Sequence, residues 1–238
     1  MAIKTIKKMI ESVRHRIQTG TVSRAAAIVG SMLGLGMLLA ASAIALFAWL
    51  ADEVFEGDSL AFDNAVREFV HSLASGWLTA LMQFFSFVGS ALVLTVSTVL
   101  LIVIFLVRKQ HRRSLLLGAV MVGASILNFV LKTYFVRERP APYFDTPLPS
   151  SFSFPSGHSL LTACFCACLA WIFFSGRSGK LKIAGCVAAG LVILLVGPSR
   201  VYLGVHYPTD VLAGYLAATV WVTAVVSADS FIERPTGN

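Results

Sequence analysis

From Ala25 to Ala51 the chain contains no charged residue. Crossing the hydrocarbon core of a bilayer takes roughly 20 consecutive apolar residues of helix. In lipid the backbone must satisfy its own polar groups, which a helix does within one segment. The basic approach to this run resembles the start of a secretion signal. The run, however, exceeds the roughly 7–15 apolar residues of such a segment, and no small-residue cleavage site stands out. It reads as a retained anchor.

Other apolar runs follow. They predict spans over about Ser114–Phe135, His158–Phe174, Leu181–Val196 and Pro208–Ala228. Trp77–Val107 is too long for one plain span and is interrupted by Gly89-Ser90. It reads as a short embedded helix followed by a full span from Ala91. The acidic segment 52–76, with Phe55, Leu60, Phe62, Val66, Phe69 and Val70, predicts an interfacial helix packed on the bundle. The fold class expected is therefore all-α: a polytopic six-transmembrane-helix bundle with an amphipathic interfacial helix between its first two spans. Residues 1–24 are basic, with Ile3, Ile6, Ile10, Val13 and Ile17 three or four apart. They read as a helix on the membrane surface or as a poorly ordered basic tail. Two regions result: a basic segment 1–24 and a membrane domain 25–230, with no repeat, low-complexity tract or linker to mark another.

Composition agrees. The chain is 57% hydrophobic and 13% charged, where a soluble domain carries about 25% charged residues. With the amino terminus inside, the inner segments hold most Lys and Arg, among them Lys4, Lys7, Lys8, Arg108, Arg112, Arg177, Lys182 and Arg234. The outer side keeps only Arg67, Lys132, Arg137, Arg139 and Arg200. That asymmetry follows the positive-inside rule. The net charge of +7 is then mainly a topology signal and does not call for a nucleic-acid partner. Cys164, Cys166, Cys168 and Cys186 lie in apolar runs without a neighbouring His; they read as small buried apolar residues, not metal ligands.

The outer cations sit at span ends, where a charge near hydrocarbon marks a functional site by default. Three stretches carry chemistry. In Lys132-Thr-Tyr-Phe-Val-Arg-Glu-Arg139-Pro140, Lys132 and Arg139 would lie two turns apart on one helical face, although the proline after Arg139 argues against helix there. Two cations suit a phosphate dianion. In Pro155-Ser156-Gly157-His158, before a long apolar run, Ser156 reads as an N-cap. The free N–H groups and dipole of that terminus make an anion site, Gly157 allows close approach, and His158 sits where a proton donor is wanted. In Ser199-Arg200-Val-Tyr-Leu-Gly-Val-His206-Tyr-Pro-Thr-Asp210, Pro208 starts a helix and brings Asp210 near His206. A carboxylate on one imidazole nitrogen leaves the other with its lone pair, which makes a nucleophile. Glu138, Arg137 and Tyr202, close by, read as structural.

These stretches resemble the signature of the type 2 phosphatidic acid phosphatase superfamily, the lipid phosphate phosphatases: Lys, six residues, Arg-Pro; Pro-Ser-Gly-His; then Ser-Arg, five residues, His, three residues, Asp. Lys132, Arg139, Pro140, Pro155, Ser156, Gly157, His158, Ser199, Arg200, His206 and Asp210 fill every position. The resemblance implies a lipid phosphatase acting on a phosphate monoester or diphosphate. In it His206 would form a phospho-histidine with Asp210 as partner, and His158 would protonate the leaving group. Lys132, Arg139, Arg200, Ser156 and the Gly157 amide would hold the phosphoryl oxygens. It implies no metal and no cofactor, and no acidic cluster lies near the motifs. The expected partners are a lipid phosphate and membrane lipids, with no nucleic acid and no obligate protein. The expected location is the bacterial cell (inner) membrane, multi-pass, with cytoplasmic termini and an outward-facing site. Alternatives are a lipid phosphotransferase using the same phospho-histidine, a relative of the soluble vanadium haloperoxidases, and an anion transporter. Substrate candidates include phosphatidic acid, phosphatidylglycerol phosphate, polyprenyl diphosphates such as undecaprenyl diphosphate, and lipid A-type phosphates.

Overall fold

The computed structural model describes residues 34–144, 148–174 and 178–232. The surface helix expected over residues 1–24 and the start of the anchor lie outside them. Two compact units divide the chain, Met1–Leu39 and Ala40–Asn238; in the first, the described residues 34–39 are helical.

All regular structure among the described residues is helical. The elements are α1 (Gly34–Glu56), α2 (Leu60–Ser72), α3 (Gly76–Val88), α4 (Ala91–Val107), α5 (His111–Phe135), α6 (Gly157–Phe174), α7 (Lys180–Tyr202) and α8 (Pro208–Ile232). Five of these helices are long and apolar enough to cross a membrane: α1, α5, α6, α7 and α8. α3 and α4 meet at 45° across Gly89-Ser90 and pass the same test as a pair. The chain is thus an integral membrane protein with five or six candidate spans among the described residues. The bend has a local cause: Ser90 leaves the helical region and its hydroxyl accepts the Val93 N–H, starting a new helix at Ala91.

α6 lies at the centre, packed against α4, α5, α7 and α8. Its core face carries Leu160, Ala163, Cys164 and Cys168, which meet Leu117, Val120 and Ala124 of α5 and Ala217 and Ala218 of α8. Small residues set the helix spacing, as expected where lipid supplies no hydrophobic drive between helices. Gly123 admits the Trp221 ring, whose indole N–H donates to the Val120 carbonyl at 2.9 Å. Phe47 of α1, Phe135 of α5 and Phe154 form an aromatic cluster, Phe135 and Phe154 having ring centres 4.9 Å apart. Large apolar side chains such as Leu46, Val99, Phe129 and Leu194 cover the outside, the surface that lipid would solvate.

Several expectations need correction. α5 ends at Phe135, where Val136 turns left-handed (φ 50°) and returns its N–H to the Lys132 carbonyl, so Arg139 lies beyond the helix, as the proline after it argues, and only Lys132 is on α5. α7 does not stop at Val196 but runs through Pro198 to Tyr202. Pro198 is tolerated because neighbouring helices and side chains can satisfy what a proline leaves open within a bundle, and Arg200 therefore projects from a helix, not a loop. Cys186 is exposed, unlike buried Cys164 and Cys168, because it lies on the outward side of α7. The segment expected to be helical forms α2, in which Asp63 and Arg67 are buried while Leu60, Phe62 and Phe69 are exposed.

Candidate active site

The end of α5, the starts of α6 and α8, and the end of α7 meet at one end of the bundle. Each delivers a motif residue through a local rule. α6 begins at Gly157 because Ser156 caps it: its Oγ accepts the Ser159 N–H at 3.4 Å and the Ser159 hydroxyl at 3.1 Å. The N–H groups of Gly157 and His158, at the first two helical positions, have no partner among the described residues, as befits a helix start. A Cβ on Gly157 would come within 3.2 Å of the Asn128 side chain, which would have to shift by a few tenths of an ångström, so glycine eases the close approach of α5. α8 begins at Pro208, which puts Asp210 three residues past Tyr207; its Oδ2 accepts the Tyr207 N–H at 2.9 Å, the reciprocal half of a capping box.

His206 is buried between α7 and α8 and is 2% exposed. Its Nδ1 lies 3.1 Å from Asp210 Oδ2, and its Nε2 lies 3.0 Å from Arg139 Nη1. A guanidinium only donates, so Nε2 is the acceptor and the ring proton sits on Nδ1, facing the carboxylate. The tautomer is fixed from both sides. Burial pulls the His206 ring down to about 3, against the opposing pull of Asp210, so the imidazole is neutral at pH 7 and its Nε2 lone pair faces the cations.

Arg139 is spread over several acceptors. Nη1 also reaches the Val205 carbonyl at 2.9 Å, Nε the Ser151 carbonyl at 2.7 Å, and Nη2 Ser151 Oγ and the Phe152 carbonyl at 3.2 Å each. Burial lowers Arg139 from its usual value, and Asp210 opposes this. Lys132 is buried, 7% exposed; its Nζ donates to the Phe152 carbonyl and, at 3.2 Å, to that of Ser153. Arg200 donates to Ser86 Oγ of α3, while its Nε is buried with no acceptor among the described residues. His158 makes no hydrogen bond among the described residues and lies within electrostatic reach of Arg200, Arg139 and Lys132. All eight expected site residues thus gather at this end, where Lys132, Arg139 and Arg200 outnumber the one carboxylate among them, Asp210. Such an arrangement suits a polyanionic group.

Residues outside the three motifs complete the cluster. Asp210 Oδ2 accepts the Ser153 hydroxyl at 2.7 Å, and Oδ1 accepts Arg137 Nη1 at 2.8 Å. Arg137 Nη2 reaches Asp63 Oδ2 of α2 at 2.7 Å, and Tyr207 packs its ring 4.1 Å from the Arg137 guanidinium. Arg67 stands beside them, between the rings of Tyr143 and Tyr207, and donates to the Ala141 carbonyl at 2.7 Å. Arg137, read from the sequence as structural, bridges Asp63 and Asp210. The signal available in the sequence was its charge on the sparsely charged outer side.

Known proteins resemble the chain over this region. The PAP2 superfamily profile matches residues 113–233. Phosphatidylglycerophosphatase B of Bacillus subtilis is 34% identical over 177 residues, 72% of this chain and 85% of that protein. Undecaprenyl-diphosphatase of Sulfolobus acidocaldarius is 32% identical over 61% of this chain and 68% of its own length. The crystal structure of a transmembrane PAP2-type phosphatidylglycerolphosphate phosphatase from Bacillus subtilis superposes with a TM-score of 0.75 at 32% identity, covering 82% of this chain and 98% of that one. Profile, sequence and fold converge on one answer: the chain belongs to the PAP2 superfamily.

Proposed function

We propose that this protein is a membrane lipid phosphatase that hydrolyses a phosphate monoester or diphosphate of a lipid through a phospho-histidine on His206, without a metal ion. The observation that carries the reading is the setting of His206: Nδ1 held by Asp210 at 3.1 Å and Nε2 turned toward Arg139 at 3.0 Å. The names of the relatives, a phosphatidylglycerophosphatase and an undecaprenyl-diphosphatase, support the substrate class.

The reaction balances as follows. A phosphoryl group enters between Arg139, Lys132, Arg200 and the free N–H groups of Gly157 and His158, taking over the Arg139 donor now on Nε2. The Nε2 lone pair bonds to phosphorus while the bond from phosphorus to the lipid oxygen breaks, and His158 gives that oxygen a proton. Asp210 stabilises the imidazolium that forms. Water then attacks phosphorus, passing its proton to His158, and the N–P bond breaks to return the lone pair to Nε2. Fixed cations and N–H groups stabilise the charge that gathers on the phosphoryl oxygens at each step.

In this reading residues 25–230 form one membrane domain after a basic segment, α3 and α4 make one bent crossing, and six crossings leave both termini inside. The site faces outward in this reading, which the distribution of Lys and Arg supports. Purified protein in detergent with excess chelator should release phosphate from phosphatidylglycerol phosphate, phosphatidic acid or a polyprenyl diphosphate, and His206→Gln should release none. Activity that depends on an added divalent ion, or that persists in His206→Gln, overturns the reading.

A further inference from the structure

Behind the His206–Asp210 pair lies a second carboxylate, drawn from a helix that carries no family motif. Asp63 of α2 is fully buried. Its Oδ2 pairs with Arg137 Nη2 at 2.7 Å and accepts the Thr209 hydroxyl at 2.7 Å; its Oδ1 accepts the Thr209 N–H at 3.0 Å. Arg137 in turn pairs with Asp210 Oδ1 at 2.8 Å and donates to the Thr209 hydroxyl at 2.8 Å. Two buried carboxylates therefore share one guanidinium. On the inward side of α2, Asp63 and Arg67 are buried beside the partly buried Val66 and Val70, so the carboxylate and the guanidinium are held inside the bundle.

Counting charge gives the arrangement a purpose. On the Nδ1 side of the neutral imidazole, Asp63, Asp210 and Arg137 sum to one net negative charge, opposite Arg139 on the Nε2 side. When Nε2 bonds to phosphorus, the ring gains one positive charge and the buried group becomes neutral. We infer that Asp63 is a positioning and charge-setting residue for the His206 nucleophile: by occupying half of Arg137 it leaves Asp210 with the negative charge that the forming imidazolium needs. Without Asp63, Arg137 neutralises Asp210 and the ring must become cationic with no compensating charge, which is expensive in a buried site. This inference rests on the proposed role of His206.

Charge removal and charge restoration separate this role from simple support of the fold. Asp63→Asn should lower kcat by about 10- to 100-fold, the range found when a partner that orients a catalytic ligand is removed, with KM changed less than about twofold. Asp63→Asn combined with Arg137→Gln restores the single net negative charge and should recover a large part of the lost kcat. A double variant no better than Asp63→Asn, or a single variant whose KM and melting temperature change along with kcat, overturns the inference and leaves Asp63 a structural residue. Neither result bears on whether His206 is the nucleophile, since loss of activity in His206→Gln is read separately in the same preparation.

Discussion

His206 shows how a single side chain is prepared by its surroundings. Nothing in an isolated imidazole chooses between its nitrogens; here Asp210 claims the Nδ1 proton and Arg139 faces the other side. Burial does the rest by holding the ring neutral, at about 3 against an ordinary value near 6.5. The consequence for stability has a definite sign. Between pH 6.5 and about 3 the unfolded chain binds a proton at this position and the folded chain does not, so stability is full above that window and is lost as pH falls through it. His206→Gln removes this particular loss. The melting temperature of the variant minus that of the unaltered protein should rise as pH is lowered from 7 to 5, measured in one detergent. A difference that stays flat or falls would mean that the ring is not held neutral by burial.

At the level of helices, the site depends on close approach. Gly214 of α8 faces the capped start of α6; a Cβ there would lie 2.8 Å from the Ser156 carbonyl oxygen and 2.9 Å from Ser159 Cβ. Backbone cannot step aside as a flexible side chain can. Gly214→Ala should therefore cost about 1–3 kcal/mol by overpacking, which lowers the melting temperature by roughly 2–4 °C per kcal/mol in a chain of this size. It should also lower kcat by displacing Ser156 and His158. Gly190 of α7 has nothing within 4 Å of its would-be Cβ, so Gly190→Ala should be neutral or stabilising by up to about 1 kcal/mol. Equal effects in a thermal melt would contradict this account of how α6 and α8 pack.

The helices also mark what the sequence could and could not disclose. Spans were readable because hydropathy is local: a run such as Leu115–Leu131 declares itself without reference to any other segment. The motif residues were readable because each stretch carries its cap, its proline or its His–Asp spacing within a few positions. Asp63 and Arg137, by contrast, are 74 residues apart, and nothing local to either one names the other. The inward turn of polar residues on α2 was hidden for a related reason. Its periodicity tells which residues share a face, but which face meets the bundle is decided by where the buried charges find partners. The end of α5 was also obscured, since the left-handed turn at Val136 falls on a β-branched residue that no turn rule would select.

At the scale of the molecule, the motif side chains among the described residues gather at one end of an apolar bundle, while the Arg112–Asp229 pair ties the start of α5 to the last turns of α8 at the other. The α5–α6 connection, with exposed Ser150 and Ser151, rims the site. A cysteine at Ser150, with the native cysteines replaced, should react with a membrane-impermeant maleimide applied to intact cells. A cysteine at Lys109, in the α4–α5 turn, should react only after the cells are opened. The reverse pattern would turn the protein over and place the site on the cytoplasmic face.

The central claim is that phosphorus passes through His206. Protein mixed with a lipid substrate carrying a labelled phosphoryl group, quenched in alkali within a single turnover and digested, tests it directly, because a phosphoramidate survives base and is lost in acid. The label should appear on the peptide containing His206, vanish on brief acid treatment and be absent from His206→Gln. Label on any other residue, or phosphate release at the normal rate with none on His206, would contradict the account.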